Sequence, residues 1–308
     1  MFVCNGLATI IFSNEDGKVI ARDANGKETE ITSDMVIAGG SVDGTDLEST
    51  YIYCKGKVPN KIITGSFGLE DKSVLVKNAV VIFDSVESEK GIMGSGYMNK
   101  IENLDITVLN SKINYVGTGD SINRATNKDS NTLETCSLAG NSWVKKSNIK
   151  VKNSVIEIVY GGGASGLTYT DSANLEIDGG NYKWITAGGS NGASGSCNLT
   201  VKNVTSENIQ SVNRGTINEA KMNVIDSKVN LFCGGNKESD VTGKILNNVS
   251  VNINGGEVVL SQGTQEGKLI ETAEQALSLI KEVNVAKTTD LTYADNAEEV
   301  LGGIIKFV

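Results

Sequence analysis

The sequence predicts an all-β protein whose central part is a β-solenoid of about eight to nine coils, closed at each end by a cap. Three observations support this prediction: a short motif recurs along the chain, its apolar residues alternate as they do in strands, and glycines follow each copy. Of the 308 residues, 35 are glycine, one is proline and 39% are hydrophobic. This content is sufficient for a buried core, and scarce proline permits long ladders of backbone hydrogen bonds.

Residues 1–33 form the predicted N-terminal β cap or attachment element. The run TIIFSNEDGKVIA has apolar stretches on both sides of Asp16-Gly17, which is the pattern of a β-hairpin. A cap is needed because the first coil of a solenoid otherwise exposes a row of unpaired backbone groups.

Residues 34–266 carry the repeat and form the predicted solenoid. Two matching copies are ITVLNSKINYVGTGD from Ile106 and MNVIDSKVNLFCGGN from Met222. Alternation of period two predicts strands. Units of about 25 residues bury their apolar face only by stacking on one another. The copies begin near residues 51, 74, 106, 149, 175, 199, 222 and 251.

A punctuating residue between the two apolar runs of each copy predicts a tight corner. Asn, Asp and Gly tolerate left-handed backbone better than other residues, and stacked Asn side chains can form a hydrogen-bonded ladder. The predicted corner ladder consists of Asn78, Asn110, Asn153, Gly179, Asn203, Asp226 and Gly255.

The interval from Ile106 to Ile149 is the longest between copies and predicts a loop that protrudes from the shaft, with an extra short coil as the alternative. Binding residues concentrate on loops held by a rigid scaffold. We therefore expect ligand contacts in 118–140, with the corners at 163–168 and 189–195 as secondary positions. The candidate ligand residues are Asp120, Asn123, Arg124, Asn127 and Asp129.

Residues 267–308 form the predicted C-terminal cap. In KLIETAEQALSLIKEV, the apolar residues Ile270, Ala273, Leu277 and Ile280 are spaced as on one face of a helix. The run GGIIKFV at the end of the chain predicts a closing strand.

These repeats resemble those of the right-handed parallel β-helix superfamily, whose pectate-lyase-like members carry Asn ladders at one corner. The resemblance covers residues from about 34 to 266 and implies a right-handed solenoid. It identifies an architecture that serves many functions, and it transfers no catalytic residue.

The chain contains no histidine, which removes the usual general base and the commonest ligand of transition metals. The GGSNG run at 188–192 matches a nucleophile elbow but lacks a histidine base. The GGGASG run at 161–166 matches a dinucleotide fingerprint but precedes a strand-like run instead of a helix. GGNKESD does not fit a calcium-binding repeat. We expect no catalytic residue, metal or cofactor.

The net charge is −9, so neither a nucleic acid nor a membrane is an expected partner. Five widely spaced cysteines without a CxxC pair predict reduced thiols. The first residues lack the basic and apolar regions of a signal peptide. We expect synthesis in a bacterial cytoplasm.

A carboxylate-based polysaccharide lyase or hydrolase is the principal alternative to a binding protein. Glycoside hydrolysis needs two carboxylates that flank the bond. The outward column predicted for the second strands contains one acid next to one lysine, which is typical of a salt bridge. Its members are Ile82, Asn114, Glu157, Lys183, Asn230 and Val259.

An apolar stripe is predicted on the second strands. Strict alternation places Tyr115, Ile158 and Trp184 inside and exposes the position that follows each of them. Four exposed apolar residues on neighbouring coils would form an assembly surface, and we expect a homo-oligomer, with a trimer favoured. The alternative is that the chain bends inward at the glycines and buries them. The stripe consists of Val116, Val159, Ile185 and Phe232.

Together these features favour a non-enzymatic, elongated binding or structural protein. Its acidity, low proline content, missing leader and irregular solenoid resemble those of bacteriophage or phage-tail-like particle appendages, such as a tail fibre, a baseplate component or a receptor-binding protein. The resemblance implies a virion location, other virion or tail proteins as partners, and loops that bind a host surface glycan or protein. A bacterial surface adhesin is a further alternative.

Overall fold

The computed structural model describes residues 1–41, 44–66, 74–96, 99–119, 142–163, 168–236 and 243–308. It is a nearly all-β protein built as a parallel β-solenoid of about nine turns, which confirms the predicted fold class. No helix within the described ranges is long and apolar enough to cross a bilayer.

The described ranges contain 21 strands and two short helices. The N-terminal strands are β1 (Phe2–Val3), β2 (Thr9–Ser13), β3 (Val19–Asp23), β4 (Glu28–Ile31), β5 (Ile37–Ala38), β6 (Leu47–Lys57) and β7 (Ile62–Ile63). The central strands are β8 (Val74–Glu87), β9 (Gly91–Ser95), β10 (Asn99–Leu109), β11 (Lys112–Gly119), β12 (Ser142–Tyr160), β13 (Thr168–Thr186), β14 (Ala193–Gln210), β15 (Thr216–Phe232) and β16 (Lys244–Ser261). The C-terminal elements are β17 (Thr264–Gln265), β18 (Lys268–Leu269), α1 (Ala273–Leu279), β19 (Ile280–Val285), β20 (Asp290–Tyr293), α2 (Ala297–Leu301) and β21 (Ile305–Phe307).

Each central coil contains a long strand that bends at a corner. In β12 the corner is Asn153, where φ is +48°. We call the sheet before the corner face 1, the sheet after it face 2, and the glycine-rich segment that follows the third side. Consecutive coils are hydrogen-bonded in parallel register, so inward residues stack into columns inside the solenoid. One fully buried column on face 1 contains Ile149, Leu175, Leu199, Met222 and Val251.

The corner is left-handed in eight consecutive coils, but one predicted member is wrong. Asn78 pairs with Ser49 and Asn103, within face 1, and Ser85 occupies the corner of its coil. The prediction failed because it aligned Lys77-Asn78 with the Lys-Asn pairs at the corner of other copies. The strand register instead aligns Val81 with Ile106, which places Asn78 on face 1. The left-handed corner residues are Gly56, Ser85, Asn110, Asn153, Gly179, Asn203, Asp226 and Gly255.

The longest amide ladder among the described side chains lies on face 1 and not at the corner. Asn284 Nδ2 donates to Asn252 Oδ1 at 3.0 Å, and Asn252 Nδ2 donates to Asn223 Oδ1 at 2.9 Å. Asn223 Nδ2 then donates to Thr200 Oγ1 at 3.2 Å. These amides stabilise the outer surface of the C-terminal coils by pairing with one another between neighbouring strands.

Serines that follow the corner residue accept backbone hydrogen bonds from the preceding coil. Ser154 Oγ donates to Lys152 O at 2.8 Å and accepts from the N–H of Ser111 at 3.1 Å. Ser111 Oγ accepts from the N–H of Val86 at 2.9 Å. The hydroxyl therefore satisfies a buried backbone donor where the corner interrupts the regular ladder.

Glycines on the third side allow close packing between coils. Gly162 does not have a left-handed φ. A Cβ at this position would lie 2.2 Å from Ser194 Oγ and 2.6 Å from the backbone nitrogen of Gly189. The neighbouring coil therefore leaves no space for a side chain.

The N-terminal hairpin is confirmed, since β2 and β3 pair antiparallel, with Ser13 opposite Val19. β2 also pairs in parallel with β6, which joins the hairpin to the first coils. At the other end, α1 begins with a capping box between Thr272 and Gln275. The helix ends at Leu279, and its C-cap Ile280 is the first residue of β19. β21 closes the sheet by pairing with β19.

We expect Ser154→Ala to lower the free energy of unfolding by about 1–3 kcal/mol, because the N–H of Ser111 loses its acceptor. Ser147→Ala is the matched control, since Ser147 lies on the same strand and its buried Oγ has no hydrogen-bond partner. Urea denaturation followed by circular dichroism measures both. Equal losses in the two variants would contradict the role assigned to Ser154.

We expect Gly162→Ala to destabilise the protein by about 1–3 kcal/mol, because the added methyl group overlaps atoms of the next coil. A Cβ at the exposed Gly303 would have no atom within 4 Å, so Gly303→Ala should be neutral. Thermal unfolding of the two variants tests this. A Gly162→Ala variant as stable as the wild type would show that the third side can widen.

Candidate functional site

Face 2 carries an open groove whose floor repeats from coil to coil. The residue four positions after the corner points outward in each coil, and the strand register places these residues side by side. They are Asn114, Glu157, Lys183 and Glu207, and all four line a groove of about 500 Å³.

One wall of the groove arises from an extra residue in a single coil. Glu87 pairs with Lys112, and Gly91 pairs with Tyr115. Three residues lie between Glu87 and Gly91, whereas only two lie between their partners Lys112 and Tyr115. The surplus forms a bulge, which places the exposed Glu89 at the edge of the groove.

The groove floor contains an exposed ion pair between neighbouring coils. Lys183 Nζ lies 3.5 Å from Glu157 Oε1, and both side chains are about half exposed. Such pairs contribute about 0–1 kcal/mol to stability, so these charges remain accessible to a ligand. Among the described residues, no ion pair is recorded for Glu207, on the coil beyond Lys183.

A half-buried apolar column borders the floor. Tyr115, Ile158 and Trp184 are in register on successive coils. The prediction placed them fully inside, but all three retain partial exposure. The reason is that two consecutive residues point outward here, as Glu157 and Ile158 do, before the chain turns inward.

The predicted exposed stripe is wrong, and the alternative, in which the chain bends inward at the glycines, is confirmed for three of its four residues. Val116, Val159 and Ile185 are fully buried, because the inward turn after the two outward residues brings them into the core. Phe232 belongs to a different column, where it pairs with Gln210 and Ser261. The prediction of a homotrimer depended on this stripe and is therefore no longer supported by it.

The remaining predicted contacts are only partly described. The secondary corners include Gly163 and 189–195, whereas 164–167 lie outside the described ranges. The candidate ligand residues Asp120, Asn123, Arg124, Asn127 and Asp129 also lie outside the described residues.

Glu207 was omitted from the predicted outward column, although the sequence contained the necessary signal. It lies four residues after the corner residue Asn203, as Glu157 does after Asn153. Ile82 was wrongly included, because it pairs with Thr107 on face 1. Alignment on the corner would have corrected both.

The GGSNG run serves coil stacking. The N–H groups of Ser190 and Gly192 both donate to Gly163 O, at 3.0 and 3.3 Å. These amides are therefore engaged and do not converge on a vacant oxyanion position.

The described thiols are buried and free. Burial raises the pKa of Cys4 to about 11 and that of Cys233 to about 12. A thiol with a raised pKa is a poor nucleophile at neutral pH. Among the residues that the structure describes, no group of three or more His, Cys, Asp or Glu side chains could hold a metal ion.

Comparison with family models, curated proteins and solved structures finds no match for this chain. The β-solenoid is thus established by the structure alone. The pectate-lyase-like and phage resemblances have no relative to support them.

We expect stability to fall as pH rises above about 9. An unfolded thiol ionises near its ordinary pKa of about 8.5, whereas the buried thiols stay protonated to a higher pH. As the pH rises from the unfolded pKa of a thiol to its folded pKa, the free energy of unfolding falls by about 1.4 kcal/mol per pH unit for each such thiol. Denaturation at pH 7 to 10.5 measures this loss.

The control for this prediction is Cys233→Ala, which should flatten the alkaline decline while lowering stability at pH 7. A second test uses a Cys136→Ser variant, because Cys136 lies outside the described residues. We expect none of its four remaining cysteines to react rapidly with a thiol reagent before the protein unfolds. Rapid labelling of the native protein would contradict the buried state of these cysteines.

Proposed function

We propose that the protein is a non-enzymatic binding protein, in which the solenoid is a rigid shaft and the face 2 groove binds an extended polysaccharide. The observation that carries this proposal is the groove floor, which repeats its outward side chains over four consecutive coils. At a strand spacing of about 4.8 Å, the four positions span roughly 14 Å along the axis. A linear polymer fits such an open, repeating surface.

The side chains of the floor suit hydroxyl-rich ligands. Asn114 offers both a donor and an acceptor, Lys183 offers donors, and Glu207 offers acceptors. Apolar side chains, among them the exposed Val155, line the same groove, and apolar surface packs well against the apolar faces of sugars. The groove therefore combines polar recognition with an apolar edge.

The charge arrangement favours binding over catalysis. Glu157 is paired with Lys183, so its carboxylate faces a cation on the next coil and not a second acid. The virion or tail-like particle expected from the sequence is one setting for such a shaft, and a bacterial surface is another. Both stay predictions, which the composition of isolated particles would test.

A glycan array followed by calorimetry with the best ligand tests the proposal. We expect Lys183→Met to weaken binding at least about tenfold, which corresponds to about 1.4 kcal/mol. Lys228→Met is the matched control, because Lys228 forms a 2.7 Å ion pair with Glu257 on the same face but does not line the groove. No glycan binding, or equal losses in the control, would contradict the proposal.

A polysaccharide hydrolase is the second candidate, and Glu207 is the observation that favours it. Glu157 and Glu207 stand two coils apart, or about 9.6 Å by strand spacing. This is close to the carboxylate separation of about 6.5–9.5 Å in inverting glycosidases. New reducing ends released by the wild type, and lost in both Glu157→Gln and Glu207→Gln, would establish the hydrolase instead.

A further inference from the structure

One internal edge of the solenoid is polar. It lies where the third side meets the start of face 1, opposite the left-handed corner. Its side chains are small and uncharged, and each residue is at most 2% exposed. We call this set the polar vertex: Ser66, Ser95, Asn99, Thr118, Ser142, Thr168, Thr170 and Ser194.

The polar vertex is continuous along the axis. Ser142 pairs with Thr168, and Thr170 pairs with Ser194, on successive coils. Thr118 lies on the third side, and its Oγ1 lies 2.7 Å from Oγ1 of Thr170 at the start of face 1. Polar groups therefore follow one another from β9 to β14 and are not scattered through the core.

Several of these buried atoms have no hydrogen-bond partner among the described residues. They are Ser66 Oγ, Ser194 Oγ and both polar atoms of the Asn99 side chain. Glycines of the adjacent coils bring backbone close to them. A Cβ at Gly65 would lie 2.2 Å from Asn99 Nδ2, and one at Gly162 would lie 2.2 Å from Ser194 Oγ.

We propose that the polar vertex binds a file of ordered water molecules that bridge successive coils. A buried polar atom without a partner is costly, and internal waters satisfy such atoms where two to four polar groups converge. The polar vertex supplies these groups from neighbouring coils. It contains no carboxylate, so it cannot balance the charge of a divalent cation.

Ser147 provides an internal contrast. Its Oγ is also buried without a partner, but its register neighbours are Leu104 and Ala173. An apolar column cannot hold a water molecule. Removal of the Ser147 hydroxyl should therefore affect nothing, whereas removal of the Ser194 hydroxyl takes a partner from the water file.

Thermal unfolding of two variants tests the proposal. Asn99→Val installs the residue that the preceding coil has in register, since Asn99 pairs with Val74. We expect Asn99→Val and Ser194→Ala each to lower the unfolding midpoint by about 2–4 °C or more, and Ser147→Ala to leave it unchanged. If both vertex variants unfold at the wild-type midpoint or above it, their polar atoms have no water partner and the proposal is wrong.

A crystal structure of the full wild-type chain, which does not depend on whether a variant folds, gives a second test. Density within hydrogen-bond distance of Asn99 and Ser194, connected along the axis, supports the water file. An empty vertex would overturn the proposal. An anomalous signal at the vertex after soaking in rubidium salt would also overturn it, in favour of a monovalent cation. Failure of either test leaves the proposed glycan groove unaffected, because the two sites share no residue.

Discussion

The parallel backbone register between successive coils is the constraint on which the rest of the structure depends. β12 to β16 each bend at a left-handed corner, so one register must serve two faces of the solenoid. A slip of one residue would exchange inward and outward side chains on both faces. Two shifts occur among these coils, between Ser206 and Ile209 and between Ile217 and Glu219, and each is confined to one side of the corner. The corner thus isolates each face from errors in the other.

This constraint also explains where a site can arise. Regular stacking makes every outward position a column that repeats at the strand spacing, which gives a uniform surface. The groove exists because one coil departs from this regularity, with an additional residue between Glu87 and Gly91. Its chemical character comes from the residues that the regular coils then place beside the bulge. A binding surface therefore needs only one local insertion on an otherwise repetitive scaffold.

The sequence was sufficient for the architecture and for six of the seven predicted corner residues, because the corner requires residue types that are visible in the chain. It was insufficient for the columns beyond the corner. Strict alternation fails at Glu157 and Ile158, which both point outward, and this reversed the expected positions of Trp184 and Ile185. Whether two outward residues occur in succession depends on how the third side turns. That turn is set by packing between coils and has no local signature.

The glycine content of the chain could not distinguish two structural requirements, a left-handed backbone at the corner and close packing between coils on the third side. At Gly179 the backbone is left-handed, a geometry that Asn153 and Ser85 also adopt in equivalent positions, so the corner accepts several residue types. At Gly162 the backbone is ordinary, and the requirement is space, because atoms of the next coil occupy the Cβ position. The first requirement is satisfied within one coil, whereas the second couples neighbouring coils. The third side therefore retains glycine in coil after coil, while the corner varies.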